Sequence, residues 1–493
     1  MTTKVWISFT ILCLLAVGLA AQLPSSLQQP EVATMVYTHT QLMPAAHSAQ
    51  VPVTGSLDCA VWPLREFVSS LRKLVSLHDR SRFIEWGNDR AQVGLSLSAG
   101  AALEGDDNDV ALFQHQGMEL DASYGSRFSM WARWWAGHYT GDLTWANRHS
   151  PLVHGWLKHQ DGGIYVDDLD GWMAANTDFG SFALGRGSFQ VGNGIGGSII
   201  LSRDAGNYGW GAWELDAGPV RLSLLHGTLL ADQENALYED GRMDERYLML
   251  HRLDVRLHRR FNLFFGETII YGNRAPDASY LLPHAFLRIV EHKLHNRDNV
   301  GMFAGFTWNA TDRLTVYGQG YLDELRKDEI FGDWWGNKYA IQTGAALEVG
   351  HLPGGAPRVA AEFVAIRPWL YSHNTAVGAY THDGYFLGYP LGANLLAYTA
   401  EVNLPVWPSL SLDGQLSYVR QGSVGADPTV NYDTRPSDSA GWLEGVIDDT
   451  LYFTGVAAWQ PLAHHFIRVG CKVKAENTDD NHYDWFTTWQ VRY

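Results

Sequence analysis

For about 400 residues after its first 90, this chain alternates apolar and polar side chains, with no helical domain between the alternating runs. Val93, Leu95, Leu97 and Ala99 interleave with Gly94, Ser96 and Ser98, and Met118, Leu120, Ala122 and Tyr124 with Glu119, Asp121 and Ser123. The same pattern recurs at Leu253–Leu257, Leu314–Gln319, Ile341–Val349, Tyr398–Leu404, Leu410–Tyr418 and Ile467–Lys474. Period two means strands with one apolar and one polar face. A soluble sandwich and a barrel set in lipid both satisfy that pattern locally. Composition favours lipid: only 18% of residues are charged and 13% are aromatic, including 20 Trp, with 50 Gly. No window after the leader is an uninterrupted apolar run of ~18 residues, so no helix is predicted to cross a membrane.

The arrangement of turns and the carboxyl end point the same way. Tight turns such as Asn309–Arg313 alternate with long Gly/Asp/aromatic stretches such as Asp323–Asn337 and Ser372–Asn394. Trp485, Thr487, Trp489, Val491 and Tyr493 alternate with Asp484, Phe486, Thr488, Gln490 and Arg492, which predicts a last strand with a lipid-facing aromatic row. At ~22 residues per strand and connection, the expected fold is an all-β, transmembrane, antiparallel outer-membrane barrel of about 18 strands over 91–493.

The start of the chain reads differently. Lys4, an apolar run from Phe9 to Val17, and Gly18, Ala20 and Ala21 form a secretory signal over 1–21, cut after Ala20 or Ala21. Leu12 precedes Cys13 where a lipidation signal wants a small residue. Residues 22–90 are an extended Pro/Ser/Thr/Gln-rich segment followed by an amphipathic helix over Leu64–Leu77, with Leu64, Phe67, Val68, Leu71, Leu74 and Val75 on one face. The remaining cysteines, Cys59 and Cys471, have no metal-ligand spacing and make no disulfide framework.

Several chemistries are excluded or weakened. A net charge of −17 offers no bulk attraction to nucleic acid. Gly192-Asn-Gly194-Ile-Gly-Gly197 satisfies G-x-G-x-x-G but precedes Ser198-Ile-Ile-Leu201, a β-like run where a dinucleotide site needs a helix. Asp161, Asp167, Asp168 and Asp170 read as a solvated loop, since their spacing fits no EF-hand. His464-His465 lacks metal spacing, and no nucleophile elbow or P-loop occurs. Asp323 and Glu324 are the nearest approach to a glycosidase pair. No cofactor, metal or catalytic residue is predicted, and the chain is not read as an enzyme.

One segment resembles a known family. Asp383-Gly-Tyr385-Phe-Leu-Gly388-Tyr389-Pro-Leu-Gly392 resembles the D-G-Y-x-x-G-Y-P-L-G run of the capsule assembly Wzi family of outer-membrane proteins. Arg358–Phe363 with Glu362, Tyr317-Gly-Gln319 with Asp323-Glu324, and the Gly-rich stretch Gly185–Ala205 are similar to further blocks of that family, so the likeness extends over roughly 180–493. It implies an outer-membrane barrel that binds surface or capsular polysaccharide as a lectin does and takes part in capsule attachment. Outer-membrane lipids and the barrel assembly machinery are the other partners expected. A diffusion channel, or porin, is the alternative.

Sugar binding by such a barrel would rest on aromatic faces against C–H groups and on polar side chains that orient hydroxyls. The carbohydrate-binding candidates are the loop residues Trp334, Trp335, Tyr385 and Tyr389, with Asp333 and Asp383 beside them.

Overall fold

The computed structural model describes residues 83–493 except 89, 149–156, 161, 232–244, 296, 331 and 478–480. The predicted signal, the Leu64–Leu77 helix and Cys59 lie outside the described residues.

The chain forms β1 (Ile84–Gly87), β2 (Ala91–Gly105), β3 (Val110–Tyr124), β4 (Phe128–Gly141), α1 (Leu143–Arg148), β5 (Leu157–Gln160), β6 (Gly163–Thr177) and β7 (Gly180–Gly187). There follow β8 (Tyr208–Ala217), β9 (Val220–Leu229), β10 (Arg246–His258), β11 (Phe261–Gly272), α2 (Leu287–Lys293), β12 (Asn299–Asn309), β13 (Leu314–Glu324), β14 (Lys338–Glu348) and β15 (Arg358–Ile366). A two-residue hairpin, β16 (Thr381–His382) and β17 (Tyr385–Phe386), precedes β18 (Leu395–Trp407), β19 (Leu410–Gly422), β20 (Ile447–Leu462), β21 (His465–Glu476) and β22 (His482–Arg492).

Eighteen of these strands close into one antiparallel ring, each paired with its neighbour in sequence apart from the steps β4–β6 and β15–β18. Ring closure is the pairing of β22 with β2, from Ser98 opposite Arg492 to Gly105 opposite Trp485. Leu97 and Tyr493 exchange both backbone hydrogen bonds, at 2.6 and 2.8 Å, and β1 takes up β2 below them, from Gln92 to Leu95. An open strand edge in hydrocarbon would leave N–H and C=O groups unpaired at several kcal/mol each, so closure is obligatory.

The period-two pattern sets which side chains meet lipid. On β22, Phe486, Thr488 and Gln490 are buried inside while Trp489 and Tyr493 face outward, each about half exposed. The outer wall also carries Leu103, Met118, Trp134, Leu184, Trp308, Ile341, Tyr398, Leu416 and Phe453. Tight turns gather at one end, as at 178–179, 218–219 and 259–260, and long loops at the other, which by the general rule for such barrels is the cell-exterior end.

One expectation is corrected. Asp167, Asp168 and Asp170 belong to strand β6, not to a loop. Asp170 faces inward and is held by Arg133 from β4 through two hydrogen bonds of 2.9 Å. Asp168 accepts from the side-chain amide of Asn207 at 2.8 Å. Asp168 and Asp170 concealed a strand because a barrel's inner face tolerates charge where a partner stands by, while Asp167 is exposed on the outer face and Asp161 lies outside the described residues.

Candidate functional site

The loop from 188 to 207 enters the lumen. Backbone in a barrel interior needs a partner for every N–H and C=O, and inward side chains supply them. Glu362 of β15 accepts the N–H groups of Ile195 at 2.9 Å and Gly196 at 3.1 Å, and the hydroxyl of Tyr317 from β13 at 2.5 Å. Gln319 accepts from the Asn193 N–H at 2.7 Å and donates to its carbonyl at 2.9 Å. Gln342 of β14 donates to the Gly197 carbonyl at 2.7 Å and accepts from the Ile199 N–H at 3.1 Å.

The G-x-G-x-x-G run is thus bound by side chains of the barrel's own wall. Its glycines allow close approach: at Gly197, with φ of 109°, a Cβ would lie 2.4 Å from the Pro390 ring. Ser198–Leu201 is no regular strand either. It lies inside the loop, with Ile199, Ile200 and Leu201 fully buried.

A second loop, 367–394, lies over the first. The hydroxyls of Tyr371 and Tyr380 donate to the carbonyls of Ile199 and Ile200 at 2.7 and 2.8 Å, and the Ser202 N–H donates to the Leu387 carbonyl at 2.6 Å. Burial raises the pKa of both phenols and of Tyr389, keeping them protonated and able to donate. Asp383 and Gly384, with φ of 51° and 78°, make the turn of the β16–β17 hairpin. The D-G-Y-x-x-G-Y-P-L-G run is therefore a clamp on the inner loop. Tyr389 is 2% exposed and Pro390 packs on Gly197, so Tyr389 presents no ring face to a ligand. Tyr385 and Asp383 remain half-buried.

Together the two loops build one apolar core with inward side chains of strands from β6 round to β19, including Ala174, Trp210, Leu250, Phe264, Phe303, Tyr321, Val364 and Val419. On the remaining wall, β20 to β22 and β2 to β4, the inward residues Arg468, Lys472, Gln490, Glu104, His115 and Arg133 alternate in the ring with a second apolar cluster that includes Ala102, Phe113, Trp135 and Tyr139.

The other predicted residues stand at the outer mouth. Trp334, Trp335 and the exposed Asp333 lie in the loop between β13 and β14. The loop between β19 and β20 is fastened to it: the Ser439 hydroxyl donates to Asp333 at 2.7 Å, and the Ala440 N–H donates to the Asp333 carbonyl at 2.6 Å. Ser439 accordingly holds the Asp333 carboxyl below its usual pKa. Trp334 and Trp335 lie 6.0 Å apart, and Trp335 lies 5.2 Å from Tyr432. The Arg326 guanidinium covers Trp334 at 4.1 Å and that of Arg435 covers Trp335 at 3.9 Å, contacts that stiffen the rings. His373 of the 367–394 loop meets Tyr432 edge-on at 6.1 Å, so the two predicted groups sit in adjoining loops. Sequence reasoning missed Tyr432, Arg326 and Arg435, whose relation to the tryptophans exists only across loops. Asp323 and Glu324 are both paired to Lys338, at 3.1 and 3.5 Å.

No protein-family model matches the chain, and no curated protein matches it. Among solved structures it is similar to Wzi of Escherichia coli, an outer-membrane protein involved in group 1 capsule assembly and described as a carbohydrate-binding β-barrel. That match has 11% identity and a TM-score of 0.52, covering 87% of this chain and 88% of that one. It is also similar to OprD of Pseudomonas aeruginosa (10% identity, TM-score 0.45, 81% of this chain and 95% of that one) and to OccAB1 of Acinetobacter baumannii (10%, 0.46, 82% and 96%). At such identity the likeness to Wzi bears on the fold alone. The closed ring of eighteen strands, its apolar outer belt and that likeness make this chain a bacterial outer-membrane β-barrel.

Proposed function

We propose that this barrel binds polysaccharide at the cell surface, with the Trp334–Trp335–Tyr432 cluster as its stacking platform and Asp333 and Asp383 orienting sugar hydroxyls. The reading is one of retention, as in capsule attachment, and not of turnover. The observation that carries it is the fastening of the 188–207 loop inside the lumen by Glu362, Gln319 and Gln342. A loop held in the interior by this many buried hydrogen bonds narrows the path a diffusion channel needs, and it gives the outer loops of a binding protein a rigid floor. Rings held by cationic contacts support the reading too, because preorganised aromatic faces lose little freedom on binding. Wzi is described as carbohydrate-binding, in keeping with the proposal.

A channel is the second reading, favoured by the inward charged residues Glu104 and Arg133 of β2–β4 and Arg468 and Lys472 of β21. Two measurements on one detergent-solubilised preparation separate them. A glycan array should give specific binding, and planar bilayers should give little single-channel conductance. Steady porin-like conductance with no glycan bound would overturn retention in favour of the channel.

A further inference from the structure

Side chains on β10 and β11 divide cleanly between the two faces of the wall. Leu248, Leu250, Phe264 and Ile270 join the core inside the lumen, so the alternate residues Met249, His251, Glu267, Ile269 and Tyr271 face outward. His251 and Glu267 stand directly opposite one another in the β10–β11 register. Two polar side chains thus share an outer wall whose other strands turn Leu, Phe and Trp to lipid. Both are nevertheless buried, at 6% and 4% exposure.

The loop between β11 and β12 covers them. It leaves the rim at Asn273 and folds back down the outside of the barrel. The carbonyls of Tyr280 and Ala285 lie 2.9 and 3.2 Å from the two ring nitrogens of His251, and the Leu287 N–H donates to Glu267 at 2.6 Å. Tyr280 and Leu287, both fully buried, pack on Leu224, Met249, Ile269, Tyr271 and Val300. Arg274 and the Tyr280 hydroxyl both bond to Asp298, which ties the ends of the loop together.

The loop's free side is apolar and basic together. Leu281, Leu282 and Ile289 are 45%, 47% and 48% exposed. Lys293 and Arg297 are exposed and make no ion pair among the described residues, while Arg288 pairs only with the neighbouring Glu291. This surface continues the lipid-facing belt at the end of the barrel that carries the long loops. Exposed leucines beside cations at that level suit a lipid with acyl chains and a phosphorylated head group.

We propose that the 273–298 segment is an external seat for the phosphorylated glycolipid of the outer leaflet. Leu281, Leu282 and Ile289 meet its acyl chains, and Arg288, Lys293 and Arg297 meet its phosphates.

The test uses the full-length barrel in neutral detergent, incubated with lipid A, with lipid A stripped of its phosphates, or with phosphatidylethanolamine. Retained lipid is counted by native mass spectrometry, with heat-modifiability on gels as the folding control. The wild type is expected to retain lipid A about tenfold more than either control lipid. Arg288→Gln/Lys293→Gln/Arg297→Gln should remove most of that preference, each cation contributing about twofold. Leu281→Ser/Leu282→Ser/Ile289→Ser should weaken retention of all three lipids. Five of these six side chains are exposed on the loop, while Arg288 is half-buried against the fully buried Glu291, so Lys293→Gln/Arg297→Gln replaces the triple variant wherever that one fails the folding control. Equal retention of lipid A and its dephosphorylated form, or unchanged retention by the folded glutamine variant, would overturn the proposal. So would a wild-type dimer that the serine variant loses with no lipid preference, an outcome that gives the patch to a second copy of the chain.

Discussion

The Tyr317 hydroxyl donates to the Glu362 carboxylate across 2.5 Å, and that carboxylate also holds the backbone amides of Ile195 and Gly196. One buried side chain therefore anchors the tip of the inner loop from three directions. Replacing it leaves three donors without an acceptor inside the lumen. Each orphan costs ~1–3 kcal/mol unless water reaches it. Glu362→Ala should release the 188–207 loop while the strands stay paired. The expected result is a several-fold rise in single-channel conductance, with heat-modifiability on gels unchanged. Unaltered conductance would mean that Gln319, Gln342 and the tyrosine clamp hold the loop unaided.

What the sequence reveals about this fold follows from how local each signal is. Alternation is written in neighbouring residues, so the strands, the barrel and the lipid-facing row of β22 could all be read. The four blocks behind the family resemblance meet in space: Tyr317 and Gln319, Glu362, the Gly192–Gly197 run and Tyr389-Pro390 all converge on the inner loop. Their common role was not legible, because hydrogen bonds spanning more than a hundred residues leave no periodicity. For the same reason Tyr389 read as a free loop aromatic, although it is walled in. The external loop had one faint signal, the polar His251 and Glu267 set among Tyr247, Met249, Phe265 and Ile269 on otherwise apolar rows.

Acid should loosen the outer loops through His373. Burial, helped by the nearby Lys338 ammonium, lowers its pKa to about 4, from an ordinary value near 6.5. A histidine whose folded pKa lies below its unfolded one stabilises the fold fully above pH ~6.5. That contribution falls away as pH drops toward 4, because the unfolded segment binds the proton more readily. Protease cleavage within 367–394 should therefore increase between pH 6.5 and 4. His373→Gln should flatten that profile without changing cleavage at pH 8. A profile identical in the variant would assign the effect to another group.

The two predicted groups of sugar-binding residues should respond differently to truncation. Trp335→Ala removes the ring that joins Trp334 to Tyr432 and should weaken glycan binding several-fold, since a lost aromatic contact is worth ~0.5–1.5 kcal/mol. Multivalent polysaccharide would magnify that loss. Tyr385 packs against the core of the clamp, so Tyr385→Ala should lower thermal stability and raise protease sensitivity of 367–394. A fall in binding beyond that change in folding would make Tyr385 a contact residue after all. Both variants are compared with wild type by glycan binding and gel mobility on the same preparation.

The final strand offers the last test. Tyr493 exchanges two backbone hydrogen bonds with Leu97 and stacks on His464 at 4.8 Å, while the Trp489 indole donates to His465 at 3.2 Å. Both rings face outward near the tight-turn end of the ring, where aromatic girdles of such barrels sit. Backbone pairing of β22 with β2 does not depend on these side chains, so a barrel already closed should tolerate their loss. Assembly is different: the strand must find its place beside β2 before any ring exists, and outward aromatics give it a foothold at the membrane interface. Trp489→Ser/Tyr493→Ser should therefore reduce the yield of membrane-inserted protein several-fold. The fraction that inserts should keep nearly the wild-type unfolding temperature in gels. Normal yield with a lowered unfolding temperature would reverse the assignment, making the aromatic row a stabiliser of the finished barrel and not an aid to its insertion.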